Sequence, residues 1–326
     1  MNDEFNIAVV GAGMAGLSCA TALQHAGYQV SVFDKSRGPG GRMSTRRGEG
    51  WQCDHGAQFF TANDPGFRAE VARWERAGVA VPWYPLVKRL DGDGVANRVD
   101  PVARFVGAPR MTAPAAMLGS ALALYTGQAI TALQRDSSGW RLSSDGEALP
   151  ACRFDAVVLA LPAPQAAALL RDAAPVYATL SAQVPMAPCW TLMAQYPAPL
   201  ATGFDAAQVD SGPLRWIARD RTKPGRVGQE SWVLQASAAW SAAHIEADAE
   251  EVAAALITAF IALGGAPPVQ WSAHRWRYAT AAAPRTEGCL WDADARLGLC
   301  GDWLGGDTVE AAWLSGRKLA HEISAS

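Results

Sequence analysis

Residues 6–34 read NIAVVGAGMAGLSCATALQHAGYQVSVFD, and this stretch decides the fold. From Ile7 to Val10 the chain is an unbroken apolar run, as a strand buried on both faces requires. Gly11-Ala12-Gly13-Met14-Ala15-Gly16 follows, and the pattern predicts a helix from about Ala15 to His25, ended by Gly27. A second strand, Gln29 to Phe33, closes on Asp34. Strand, glycine-rich turn, helix, strand and acid in that order make a βαβ unit carrying the G-x-G-x-x-G dinucleotide fingerprint. Gly11 permits the tight turn, Gly13 lets the backbone approach a pyrophosphate, and Gly16 lets helix and strand pack closely. The helix start at Met14 and Ala15 offers free N–H groups to phosphates, and Asp34 is placed to accept hydrogen bonds from ribose hydroxyls. These residues alone leave NAD and FAD both open.

Outside that stretch, composition removes whole classes. The chain has 326 residues, half of them hydrophobic, which suits about two folded domains without staples. Twenty-eight basic against 31 acidic side chains give a net charge of −3, not the basic excess of a nucleic-acid or anionic-membrane binder. None of the six cysteines forms a C-x-x-C pair or sits at metal-ligand spacing from a histidine, so no metal site is expected. Scattered free thiols and an acidic N-terminus point to a cytoplasmic protein. The uncharged run 252–273 is broken by Gly264-Gly265 and Pro267-Pro268, and its first half has the spacing of a soluble amphipathic helix.

The rest of the chain predicts a discontinuous nucleotide domain. Asn63-Asp64-Pro65 starts a helix carrying Phe67, Val71 and Trp74 on one face, and a further helix is expected near Pro114 to Tyr125. Ala129 to Leu133 and Trp140 to Leu142 alternate like a hairpin, and Phe154 to Leu161 returns to a buried strand. Residues 185–280 hold many of the tryptophans in short strand-like runs and read as a mainly antiparallel insertion. The expected fold is α/β: an FAD-type Rossmann-like three-layer domain formed by 1–79, 108–170 and 285–326. Residues 80–107 and 171–284 then form an inserted, mainly antiparallel α+β substrate domain.

Three further segments carry a family resemblance. They are Arg37-Gly38-Pro39-Gly40-Gly41-Arg42-Met43 after Lys35, Asp54-His55-Gly56-Ala57-Gln58, and Cys300-Gly301-Asp302 with Val309-Glu310-Ala311-Ala312-Trp313-Leu314-Ser315-Gly316. With the fingerprint they resemble, in order, the motifs of the FAD-binding flavin amine oxidase superfamily. Gly56 to Thr61, Ala218 to Arg226, Ala273 to Tyr278 and Cys300 to Trp303 are similar to the bacterial renalase group. The resemblance implies noncovalent FAD held by Gly11, Gly13, Met14, Ala15, Gly16, Asp34 and Lys35. Further contacts would come from Gly41, Arg42, Met43, Asp54, His55, Gly56, Ala57, Ile130, Gly301, Asp302, Val309 and Glu310, with Arg42 given to the phosphates. It also implies an oxidase for the 2- and 6-dihydro isomers of NAD(P)H, with hydride passing to flavin N5 and electrons to O2 as H2O2. An amine oxidase and an FAD-bound protein without turnover are the alternatives. No second dinucleotide fingerprint is present, which disfavours an NADPH-reducing partner site.

The substrate side is less defined by sequence. His274, Trp276 and Tyr278 alternate along a strand and fall on one face, with Arg275 and Arg277 opposite. That face either lines the pocket, with His274 or Arg277 bonding a carboxamide and the aromatics stacking on a nicotinamide, or it is ordinary core. Arg219, Arg221, Lys223 and Arg226 cluster in one loop, which either meets substrate phosphates or is a solvated face.

Overall fold

Two sheets organise the chain, and the cavity lies where they meet. The computed structural model describes residues 5–91, 94–97, 102–145, 149 and 153–326. In the six-stranded sheet Asn6–Val10 runs parallel between Gln29–Asp34 and Ala156–Leu159. Ala123–Thr126 extends one side, and Leu297–Leu299 followed by antiparallel Leu290–Asp292 extends the other. Ile7, Ala8 and Val9 expose nothing, as a strand covered on both faces must. Helix Met14–His25 lies on one face and packs against the last helix, Val309–Ala325. The contact is close: Ser18 Oγ donates to the carbonyl of Trp313 at 2.8 Å. The mixed α/β expectation with a Rossmann-like unit therefore holds.

One helix is shorter than its pattern predicts. Ala113–Gly119 ends well before Tyr125, and Ala123–Thr126 becomes the edge strand beside Gln29–Asp34. Leu122, Leu124 and Tyr125 read equally well in either periodicity. The free edge of a parallel sheet offers them a full ladder of hydrogen bonds, so tertiary context overrides local pattern.

The second sheet has seven strands, in the order Gln270–Ala281, Met186–Tyr196, Glu230–Ala236, Leu214–Arg219, Ala206–Val209, Val87–Asp91 and Gly94–Asn97. Every pairing is antiparallel except that of Ala206–Val209 with Val87–Asp91. Alternation along these strands separates two faces. Leu192, Trp232 and Leu234 face helix Ala249–Ala262, where Phe260 lies 5.2 Å from the Trp232 ring. The other face looks toward the first sheet. Helix Ala249–Ala262 stops before Gly264, whose φ of +92° suits glycine, and no helix among the described residues is long and apolar enough to cross a membrane.

Candidate active site

A cavity of about 1550 Å3 runs between the sheets. On its first side stands the turn after Asn6–Val10. Gly11 holds φ +109°, and a Cβ there would meet the Ala160 carbonyl oxygen at 2.5 Å. A Cβ on Gly16 would strike the Gly11 carbonyl oxygen at 1.9 Å, whereas one on Gly13 would meet nothing within 4 Å. Gly13 thus turns open backbone to the cavity at the start of helix Met14–His25, which has no side-chain cap and no acid in its first turn. Asp34 is buried, accepting from Ala12 N–H at 2.7 Å and Ser36 N–H at 2.7 Å, and still lines the cavity. Lys35, Gly41, Arg42, Met43, Ile130, Gly301, Asp302 and Val309 line it too.

Two predicted contacts are otherwise engaged. Arg42 gives both terminal nitrogens to Asp302, at 2.6 and 2.8 Å, and one of them also to the Ala279 carbonyl at 3.0 Å. Its guanidinium ties the two motifs together instead of standing bare for phosphates. Glu310 turns its carboxylate away to accept from the N–H groups of Asn63 and Asp64, so Val309 alone of that pair reaches the cavity.

The turn 54–58 is clamped from the second sheet. Trp276 Nε1 donates to the His55 carbonyl at 2.9 Å, and Gln235 Nε2 donates to the Gly56 carbonyl at 2.8 Å. Asp54 does not face the cavity. It is fully buried with Arg226 on Oδ2 and with Lys223 Nζ at 3.2 Å, and Lys223 also reaches Asp220 at 2.9 Å and Gln58 at 3.1 Å. Burial alone would lift the Asp54 carboxyl, but Lys223 and Arg226 outweigh it and hold it down to about 2. Asp220 is pushed up, by burial and by Asp54, against the opposing pull of Lys223. Arg219 pairs with Glu230 at 2.7 Å, and Arg221 bonds the carbonyl of Arg226. Lys223 and Arg226 are therefore spent inside the protein, while Arg219 is held by Glu230 and the exposed Arg221 by the loop's own backbone.

The wall opposite Gly13 is aromatic. Trp276 closes a cluster of three rings, with the His55 ring stacked on it at 5.2 Å, the His274 ring edge-on at 4.3 Å, and the two imidazoles 4.8 Å from each other. Burial, then neighbouring positive charge, pushes His55 down to about 3 and lowers His274 as well, so both imidazoles are neutral. Tyr278 joins this wall. Arg275 and Arg277 reach the cavity's margin but pair with the exposed Glu246, Arg277 at 2.6 and 2.9 Å.

A row across the second sheet extends this wall. His274 pairs with Thr191, Thr191 with Gln235, Gln235 with Trp216, and Trp216 with Gln208. Directly opposed residues share a face, and His274, Gln235, Trp216 and Gln208 all line the cavity. Phe59 packs on Trp216 at 5.6 Å, Arg104 lies over the Phe59 ring at 5.1 Å, and Arg215 completes that end. Apart from His274, sequence reading assigns no role to these residues. The row runs perpendicular to the chain, so Gln208, Trp216, Gln235 and His274 each lie 8 to 39 residues from the next.

Residues 9–73 match the NAD(P)-binding Rossmann-like domain, and residues 111–324, well over half of the chain, match the flavin containing amine oxidoreductase family. The chain belongs to that family. Its cofactor is FAD. Cyclohexylamine oxidase from Brevibacterium oxydans IH-35A superposes with a TM-score of 0.75 over 98% of this chain and 99% of that one, at 14% identity. Putrescine oxidase gives 0.73 over 99% of each, also at 14%; both show the shared fold alone. In sequence, L-amino-acid oxidase of Siganus canaliculatus is 39% identical over 89 residues, 27% of this chain and 16% of that protein. The zeta-carotene-forming phytoene desaturase of Myxococcus xanthus is 48% identical over 50 residues, 15% and 10% respectively.

The residues present fit FAD. Open backbone at Gly13 and an uncapped helix start suit a pyrophosphate, and the anchored Asp34 carboxylate suits a ribose. The cavity also exceeds the few hundred to about 1,000 Å3 of ordinary ligand sites.

Proposed function

We propose that this flavin enzyme is a renalase-like cytoplasmic oxidase, taking 2- and 6-dihydro isomers of NAD(P)H to NAD(P)+ with release of H2O2. Residues 1–79, 108–170 and 285–326 would hold FAD noncovalently, and 80–107 with 171–284 would hold the substrate. One observation carries the reading. From the substrate side the cavity is lined by Arg104, Arg215, Arg275 and Arg277 and, among the described residues, by no aspartate or glutamate. An anionic dinucleotide suits such a wall, where Arg275 and Arg277 share Glu246 and Arg215 stands exposed, whereas a protonated amine would find no carboxylate lining this side. Noncovalent attachment is supported by the thiols: among the described residues only Cys189 lines the cavity, and burial pushes its pKa up.

Bound FAD supplies the two-electron acceptor, which O2 restores as H2O2. Trp276, braced by the two imidazoles and by its own N–H, is a rigid side chain that orients a dihydropyridine and excludes water. Neutral His274 can bond a carboxamide without bringing charge beside a ring that becomes cationic on oxidation. No proton need leave a strong bond, so positioning dominates over acid–base work.

Anaerobic titration with aged NADH containing these isomers should bleach the yellow protein, and air should restore the colour with peroxide release. Bleaching by simple amines but not by the isomers would overturn the reading in favour of amine oxidation, and bleaching by neither would leave a binding protein. Trp276→Ala should slow bleaching at least tenfold with FAD retained; an equal loss of FAD would refute the positioning role.

A further inference from the structure

We infer that the Phe59–Trp216 end of the cavity is a second subsite, built for the nucleoside-phosphate half of an elongated substrate whose reacting ring lies against His274 and Trp276. The inference rests on the dinucleotide reading above and adds where the far half is held. Trp216 stands three strands from His274 along the cavity-facing row, which is about 14 Å at interstrand spacings of roughly 4.8 Å. That separation places the two ends beyond a single ring and within one extended ligand.

The two ends differ in chemistry. At His274 the wall is aromatic with neutral imidazoles. At Trp216 it is aromatic and cationic: Phe59 and Trp216 pack at 5.6 Å, buried Arg104 lies over Phe59, and exposed Arg215 lines the mouth. Rings that can stack on a base, beside the exposed Arg215 guanidinium that can grip a phosphate, are what a purine nucleotide requires. A simple carboxylate would leave the aromatic pair without a partner. Between the ends, Gln235 is held on the Gly56 carbonyl, so the path is lined by a fixed side chain.

Calorimetry on the FAD-loaded protein would use NAD+, nicotinamide mononucleotide, AMP and inorganic phosphate as probes. AMP and the mononucleotide should bind together, each displaced by NAD+. Arg215→Gln, at an exposed position, should weaken AMP and NAD+ at least tenfold while moving the mononucleotide less than twofold. Trp216→Leu should weaken AMP but leave inorganic phosphate unchanged, which separates base stacking from phosphate capture. Equal weakening of AMP and mononucleotide by Arg215→Gln would overturn the subsite, as would AMP failing to bind. Absence of dihydronicotinamide oxidation with AMP binding still lost in Arg215→Gln would sink the proposed reaction and keep the subsite. Oxidation of the isomers with KM unchanged by Arg215→Gln would do the reverse.

Discussion

His55 shows how one residue's surroundings determine its charge. Its ring is buried beside His274 and stacked on Trp276, and burial outweighs the favourable pull of Asp54 on a proton there. A basic group whose pKa falls from 6.5 to about 3 stabilises the fold fully above pH 6.5, and that stability is lost as pH drops through the window toward 3. At 1.36 kcal/mol per pH unit the loss at pH 5 is about 2 kcal/mol relative to pH 8. Urea unfolding at the two pH values should show this difference in the wild type and a clearly smaller one in His55→Gln. The same slope in both proteins would refute the assignment. Asp54 works in a lower window that overlaps only the end of this one: its depressed carboxyl contributes above about 3.8 and is lost as pH falls toward 2, so most of the His55 loss comes first.

At the scale of elements, the first and last helices meet in a close joint. A Cβ on Gly316 would meet the Ala15 carbonyl oxygen at 2.1 Å and Ser18 Oγ at 2.2 Å, and backbone cannot retreat as a side-chain tip can. Gly316→Val should therefore cost about 3 kcal/mol, the upper end of overpacking effects, read as a lower urea midpoint at unchanged slope. Gly38→Ala, where a Cβ would meet nothing within 4 Å, should stay within about 0.5 kcal/mol. Similar costs at both positions would refute the packing argument. The cavity row belongs to this scale as well, since backbone pairing of five strands, not side-chain attraction, brings Gln208, Trp216, Gln235 and His274 to one face.

Across the whole molecule, the buried cluster of Asp54, Asp220, Lys223 and Arg226 fastens the turn 54–58 to the seven-stranded sheet's side of the cavity. Lys223 replaced by Met would leave Asp220 without its close cation, because Arg226 stands 4.0 Å from it and serves Asp54. Uncompensated buried charge costs about 3–5 kcal/mol, and Lys223→Met should destabilise by that order. Adding Asp220→Asn should recover at least half. No recovery in the double variant would show that Lys223 acts by packing against Trp83, 5.7 Å away, and not by charge.

Much of the frame was legible in residues 6–34, because a βαβ unit is a local object: apolar run, glycines and acid follow one another along the chain, and each acts within a few residues of its neighbours. The alternation of His274, Trp276 and Tyr278 was legible for the same reason. Sequence could not tell whether Arg42 and Asp54 face a ligand or one another's motifs, since a charge reveals its partner only when distant strands converge. Nor could it separate helix from edge strand at Leu122–Tyr125, where the deciding hydrogen bonds come from Gln29–Asp34. The loop cations at 219–226 left a phosphate site and a solvated face both open, and two of them, Lys223 and Arg226, became an interior clasp once Asp54 met them from 169 and 172 positions away. Local spacing determined the nucleotide fold; long-range pairing and burial alone decided which charges remain to meet a substrate.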